Sequence, residues 1–345
     1  MAACLLAVAA LTGLAACSKP SASSGLPAVP TRPAIAFAPL PAGLGGVLTY
    51  QRDGNVYVLL LDSKAERKVT DFPPQSQAVF SARSPDGAHL AYVRIEGFGS
   101  TLWVSDATGG GERKLVDESS SYATLERPQW TPDSKAIVYT YHAFIVEGGA
   151  IKGETIRGEK VDPETGERTP LAPDAEGPTM APDGSMAFVR TTRTGQQLVL
   201  LDPDGTEKIL VPERSFSSMA APKFSPDGKR IGFAAVGTGP TSGQTAPGTT
   251  HTTGLAAVLD GLRGALGPSI ALAHGEPWDI WMAEVGGSVK MLSKLTEDEP
   301  TVTWSADSRY AAVSGGTGVY VIDAANGQTS QLTQVGGFGG IDWTR

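Results

Sequence analysis

Pro222-Lys223-Phe224-Ser225-Pro226-Asp227-Gly228-Lys229-Arg230-Ile231-Gly232-Phe233 decides the reading of the chain, because variants of it recur along the sequence. Ser-Pro-Asp-Gly spells a type I turn: Ser opens it, Pro presets φ at the second corner, Asp tolerates the third and Gly closes it. An aromatic residue precedes the turn and an alternating apolar run follows, so the unit reads as strand, tight turn, strand. Further copies are Arg83-Ser84-Pro85-Asp86-Gly87, Trp130-Thr131-Pro132-Asp133-Ser134, Met180-Ala181-Pro182-Asp183-Gly184 and a degenerate Trp304-Ser305-Ala306-Asp307-Ser308. Trp343-Thr344-Arg345 begins another. Of the six residues before the turn, only Arg83 is not large and apolar, which predicts a buried column.

Each turn is followed by a second alternating run, a polar hairpin and a last short strand, as in Gln197-Leu198-Val199-Leu200-Leu201-Asp202 and then Lys208-Ile209-Leu210. Four antiparallel strands in roughly 40 residues is the period of a propeller blade, a unit that buries its faces only against its neighbours. The repeats resemble the TolB-like β-propellers, whose blades carry the same aromatic-Ser-Pro-Asp-Gly signature. That resemblance covers residues 45 to 345 and implies an all-β fold; propellers of this kind serve both as binding proteins and as bodies of enzymes.

Residues 47 to 70 supply only the second, third and fourth strands of a blade. The missing first strand is found at the far end, Gly339-Gly340-Ile341-Asp342-Trp343. The C-terminal strand is therefore expected to complete the N-terminal blade and close a ring of six. Successive pre-turn residues lie 47, 50, 44, 80 and 39 positions apart. The long interval falls inside the fifth blade and predicts an insertion over 237–277. Leu255, Val258, Leu259, Leu262 and Leu266 of that insertion fit one helical face, weakened by Gly261 and Gly264.

Ahead of the propeller, Leu5 to Ala16 form an apolar run of 12, with no Lys or Arg before it, ending in Leu14-Ala15-Ala16-Cys17. The run is too short to span a bilayer and has the length of a secretory signal core. The tetrapeptide resembles a bacterial lipobox, which implies a signal peptide at 1–16, a lipidated Cys17 and a Pro/Ala/Ser-rich tether at 17–44. At about 3.1 Å per residue such a tether holds a domain up to roughly 80 Å from the bilayer. The expected location is extracytoplasmic, with contact to the membrane only through the lipid anchor. The other cysteine is Cys4, so the propeller has no disulfide and no thiol nucleophile.

The 345 residues are 41% hydrophobic and 19% charged, rich in Gly (42) and Pro (25) as many short strands require, with a formal net charge of -8. Nucleic acid, which needs a concentrated basic face, is excluded as a partner. A Gly-x-Ser-x-Gly elbow, a P-loop and a His-Glu-x-x-His motif are absent. His89, His142, His251 and His274 show no ligand spacing, and neither a cofactor nor a metal is expected. The repeated turn aspartates are expected to bond their own backbone.

In propeller geometry, connections from second to third strand emerge on the face that also carries the links between blades. That face is the expected binding surface. It would present Tyr122, Phe144 and Glu147 from the long third-blade connection at 144–153, Phe216, and His251, Leu255, Leu259, Leu262 and His274 of the insertion. The leading expectation is a monomeric, non-catalytic, membrane-anchored propeller that binds an envelope protein or glycan there. The alternative is a carbohydrate-active lyase or hydrolase working in the central funnel, which requires a polar concave pocket beneath the insertion.

Overall fold

A computed structural model describes residues 35–240 and 277–345. Cys17, the signal segment and the inserted residues His251, Leu255, Leu259, Leu262 and His274 lie outside the described residues. The described chain forms six four-stranded antiparallel sheets around a common axis, each a blade. We number them I to VI from the N-terminus. Blade I takes Val47–Arg52, Asn55–Leu60 and Ala65–Lys68 from the start of the chain and Ile341–Thr344 from its end. The pairing is antiparallel, Val47 opposite Thr344 and Tyr50 opposite Ile341, so the ring closes as the repeat register implies.

The Pro-Asp turns share one hydrogen-bond scheme. The backbone N–H at the closing position donates to the carbonyl three residues back in all five copies, at 2.8–3.0 Å. Where the first residue has a hydroxyl, as in Ser84, Thr131, Ser225 and Ser305, it donates to the turn aspartate at 2.5–2.7 Å. The same oxygen accepts the N–H five residues on. These hydroxyls hold the Asp86, Asp133 and Asp307 carboxyls below the usual carboxylate range. The aspartates are thus turn fasteners, as expected, and not a carboxylate ring.

The closing residue is left-handed in every copy, which glycine adopts freely and serine does not. Ser134 and Ser308 sit at φ 61° and 58°. The hydroxyl of each accepts the N–H of the preceding blade's turn aspartate, Asp86 or Asp227, at 3.1 Å. The departure from glycine therefore staples blade III to blade II and blade VI to blade V. Ser308→Ala keeps the strained backbone and loses the staple, so it is expected to cost about 1 kcal/mol. Adding Ser134→Ala at a distant site should roughly double that in urea denaturation.

Tryptophans of the repeat link blades in the same sense. Trp130 Nε1 donates to the Ala82 carbonyl at 3.3 Å and Trp304 Nε1 to the Lys223 carbonyl at 3.0 Å. The core is a set of apolar clusters between consecutive blades; the largest joins blades IV and V through Leu198, Val211, Phe216, Phe233 and Trp281.

Two features differ from the sequence expectation. The third-blade connection is not a loop: Ile137–Glu147 and Ala150–Val161 are strands of 11 and 12 residues joined by Gly148-Gly149 alone. Both glycines are left-handed, φ 59° and 79°, which is what a two-residue hairpin turn requires. The packed unit also begins at Ile35. Phe37 stacks on Tyr320 at 5.5 Å and the Pro39 carbonyl accepts from Ser330 Oγ, so the last part of the Pro-rich segment lies along blade VI.

Candidate functional site

Strand direction gives the ring two unlike faces: one carries the Pro-Asp turns, the other the links between blades. On the linking face the blade III ribbon projects beyond its sheet. Its last pairing to the first strand of the blade is Ala123 with Ala143, and to the fourth strand Arg157 with Pro173. From Ile145 to Gly153 the two strands have only each other.

At the root of this ribbon His142 is buried between carboxylates. Its Nε2 is 2.9 Å from Glu154 Oε2 and its Nδ1 3.6 Å from Glu126 Oε1. The imidazole packs on Phe144 with ring centres 4.4 Å apart. The Phe144 N–H donates to the Tyr122 carbonyl, and the Tyr122 ring meets Phe98 at 5.5 Å. Glu126 also accepts from Thr124 Oγ1, and Glu176 of blade IV accepts from Thr191 Oγ1.

Glu126 and Glu176 occupy the same place in adjacent blades, before Arg127-Pro128 and Gly177-Pro178. Arg127 and Gly177 are left-handed, φ 50° and 58°, and each marks a bulge in an innermost strand. A bulge bends the strand and re-aims its side chains. The guanidinium of Arg127 lies 4.0 Å from Glu299 and 5.5 Å from the Phe80 ring centre.

Burial and charge oppose each other in this cluster. Burial pushes His142 down, but bonds to Glu126 and Glu154 outweigh it and the imidazole stands above its ordinary value. Burial pushes Glu126 up, yet His142 and Thr124 hold it below the usual carboxylate range. Glu176 is raised by burial, with the nearby Glu126 charge adding to the effect.

The His142 contribution to stability is present below the ordinary imidazole value of about 6.5 and is lost as pH rises through the higher folded value. That of Glu126 is present above about 4.5 and is lost as pH falls through its lower folded value. Glu176 acts with the opposite sign, its burial penalty growing as pH rises above about 4.5. The wild-type urea midpoint is therefore expected to fall as pH rises from about 6.5 through the higher folded value of His142, and His142→Gln should flatten that fall.

Tyr122 and Phe144 thus meet at the root of the ribbon and Glu147 stands at its tip, with Tyr122 and Glu147 exposed. Phe216 is a correction. It is 3% exposed, edge-on to Phe233 and Trp281, and belongs to the core between blades IV and V. An aromatic ring beside two packed sheets gains more from that burial than from water. The sequence reading missed the pairing of Glu126 and Glu154 with His142 and the nearby Glu176; for Glu126 and Glu176 the signal was a Glu two residues before Pro at one register of consecutive repeats.

The turn face holds a funnel of about 530 Å³. All six pre-turn residues line it: Arg83, Trp130, Met180, Phe224, Trp304 and Trp343. Trp130, Phe224 and Trp304 are buried as the column expectation requires, whereas Arg83, Met180 and Trp343 are half-buried. Residues one step earlier, among them Gln129, Thr179, Lys223, Thr303 and Asp342, also line the cavity. Lys223 Nζ pairs with Asp342 Oδ1 at 2.9 Å, and Gln129 Nε2 donates to the Pro222 carbonyl two blades away at 3.0 Å.

No family model matches the chain. A protein of Agrobacterium fabrum described as uncharacterized is 27% identical over 155 residues, 44% of this chain and 48% of its own length. The chain thus spans about half the length of that relative. TolB from Acinetobacter baumannii is similar in structure with a TM-score of 0.61 at 16% identity, over 87% of this chain and 67% of that one. A chain of the nidogen/laminin complex gives 0.56 at 12% identity, over 87% and 98%. At these identities the likeness is one of fold, and the fold is the propeller of the TolB-like proteins.

Proposed function

We propose that the chain is an extracytoplasmic binding propeller, held to a membrane through a lipidated Cys17, that engages an envelope protein on its linking face. One observation carries this reading. Phe98, Tyr122, Ile145, Ile151, Val335 and Phe338 are each about half exposed or more and all lie on that face. No large apolar residue is similarly exposed in the Pro-Asp turns among the described residues. Apolar side chains gathered on one face and rimmed by charge, here Glu147, Lys152 and Glu154, are what protein partners bury. The ribbon adds two unpaired strand edges, to which an extended segment of a partner can bond.

A glycan-cleaving reading draws less support. The funnel opens on the turn face, and its one side-chain carboxylate among the described residues, Asp342, is bonded to Lys223 and to the Arg83 N–H.

The test is crosslinked capture from detergent-solubilised membranes of the producing cell, comparing the intact chain with a Phe98→Ser/Ile145→Ser/Ile151→Ser variant. These side chains are exposed, so the variant should fold. A protein captured by the intact chain and lost from the variant supports the reading; equal capture by both refutes the face assignment. Cys17→Ser should move the protein from the membrane to the soluble fraction, and its retention on the membrane would refute the anchor.

A further inference from the structure

We propose that the funnel on the turn face is a binding site for a small organic carboxylate, held by the Arg83 guanidinium with its apolar body against Trp343, Met180 and the turn prolines. The proposal concerns the face opposite the protein-binding surface and stands independently of it.

The first ground is position. Five blades place an apolar residue before the turn, and blade II alone places a cation there. A side chain needed only to fill the column would be apolar, because a half-buried charge is costly to desolvate.

The second ground is the surroundings of that charge. Arg83 Nη2 donates to the Gly87 carbonyl at 2.7 Å and Nη1 reaches Thr49 Oγ1 at 3.4 Å, both neutral acceptors. Its Nε is buried without a partner. Asp342 is the one side-chain carboxylate of the funnel, and both its oxygens are engaged: Oδ1 by Lys223 Nζ, Oδ2 by the Arg83 main-chain N–H. The Lys223 charge is thereby matched and that of Arg83 is not. Burial pulls the guanidinium below the ordinary arginine range, with Asp342 and Asp86 offsetting it only in part. In a chain of net charge -8, the funnel is a local positive site.

The third ground is shape. A planar carboxylate matches the fork of a guanidinium. Around it stand the half-buried Trp343 and Met180 and the rings of Pro85, Pro132, Pro182 and Pro226. Thr179 and Thr303 offer hydroxyls. About 530 Å³ is a volume for a small molecule.

The test uses the full chain labelled with nitrogen-15 and follows the six tryptophan indole N–H signals while benzoate is added. Trp130, Trp304 and Trp343 report on the funnel; Trp103, Trp278 and Trp281 are internal controls. Benzoate should shift the first three saturably. Benzyl alcohol, the same ring without charge, and inorganic phosphate, the charge without a ring, should each bind at least about tenfold more weakly. Arg83→Met, which installs the residue type of blade IV, should weaken benzoate roughly ten- to a hundredfold. Arg83→Lys, retaining the charge without the fork, should fall between. The proposal is overturned if benzoate gives no saturable shift of the funnel indoles, if either control binds as tightly, or if Arg83→Met binds as the wild type does. Should Arg83→Met fail to fold, the Lys variant and the two control ligands decide it.

Discussion

Trp304→Ala is expected to destabilise the chain by about 3–5 kcal/mol, seen as a lower urea midpoint at unchanged slope. The indole is 2% exposed and belongs to the cluster joining blades V and VI, with Ile280, Met282 and Val313. A methyl group built on Gly232 would stand 3.2 Å from its Cζ2, so the ring already fills the space between the sheets. Truncation leaves a cavity that flanking strands, fixed in their ladders, cannot collapse into. It also strips the Lys223 carbonyl of its donor, beside the Lys223–Asp342 pair. Trp304→Phe, which refills most of the volume but not the hydrogen bond, should cost distinctly less. A loss under about 1 kcal/mol for the alanine variant would show that the blades are not coupled through this column.

Removal of residues 341–345 should have a larger effect still: loss of the cooperative unfolding transition, with self-association on size-exclusion chromatography. Val47, Leu48, Thr49 and Tyr50 would lose their ladder partners and present a bare strand edge. Arg83 and Lys223 would lose Asp342, and the Gly45 carbonyl would lose the Trp343 indole. A synthetic peptide covering residues 338–345 should restore the transition by adding itself as the missing strand. A truncated chain that stays monomeric with an unchanged midpoint would show that the ring holds without its clasp.

The fold was legible because each blade repeats a turn whose chemistry is narrow. Pro presets one dihedral, Asp and Ser occupy the donors, and a left-handed residue closes the turn, so five imperfect copies fix the register of every sheet. Ring closure followed from counting strands at the two ends. The candidate site was legible only in part. Tyr122, Phe144 and Glu147 lie where the strand order put them, but Phe144 to Gly153 read as a long connection when Gly148 and Gly149 make a two-residue hairpin turn. Phe216 stands between serines, where no periodicity tells a core ring from a surface one. The meeting of Glu126, His142 and Glu176, and the unmatched charge of Arg83, arise between blades or across the axis, and spacing within one repeat does not show such contacts.

Blade I also sets a clock. Val47 pairs with Thr344, so a chain emerging from the ribosome at roughly 5–20 residues per second has made one side of that sheet long before the other exists. Throughout that interval Leu48 and Tyr50, fully covered in the finished ring, have no neighbour on the closing side. Contacts so distant in sequence also form slowly once both partners are present. The nascent protein therefore passes through an obligatory open form, and whatever handles the growing chain must shield that edge until the final residues arrive.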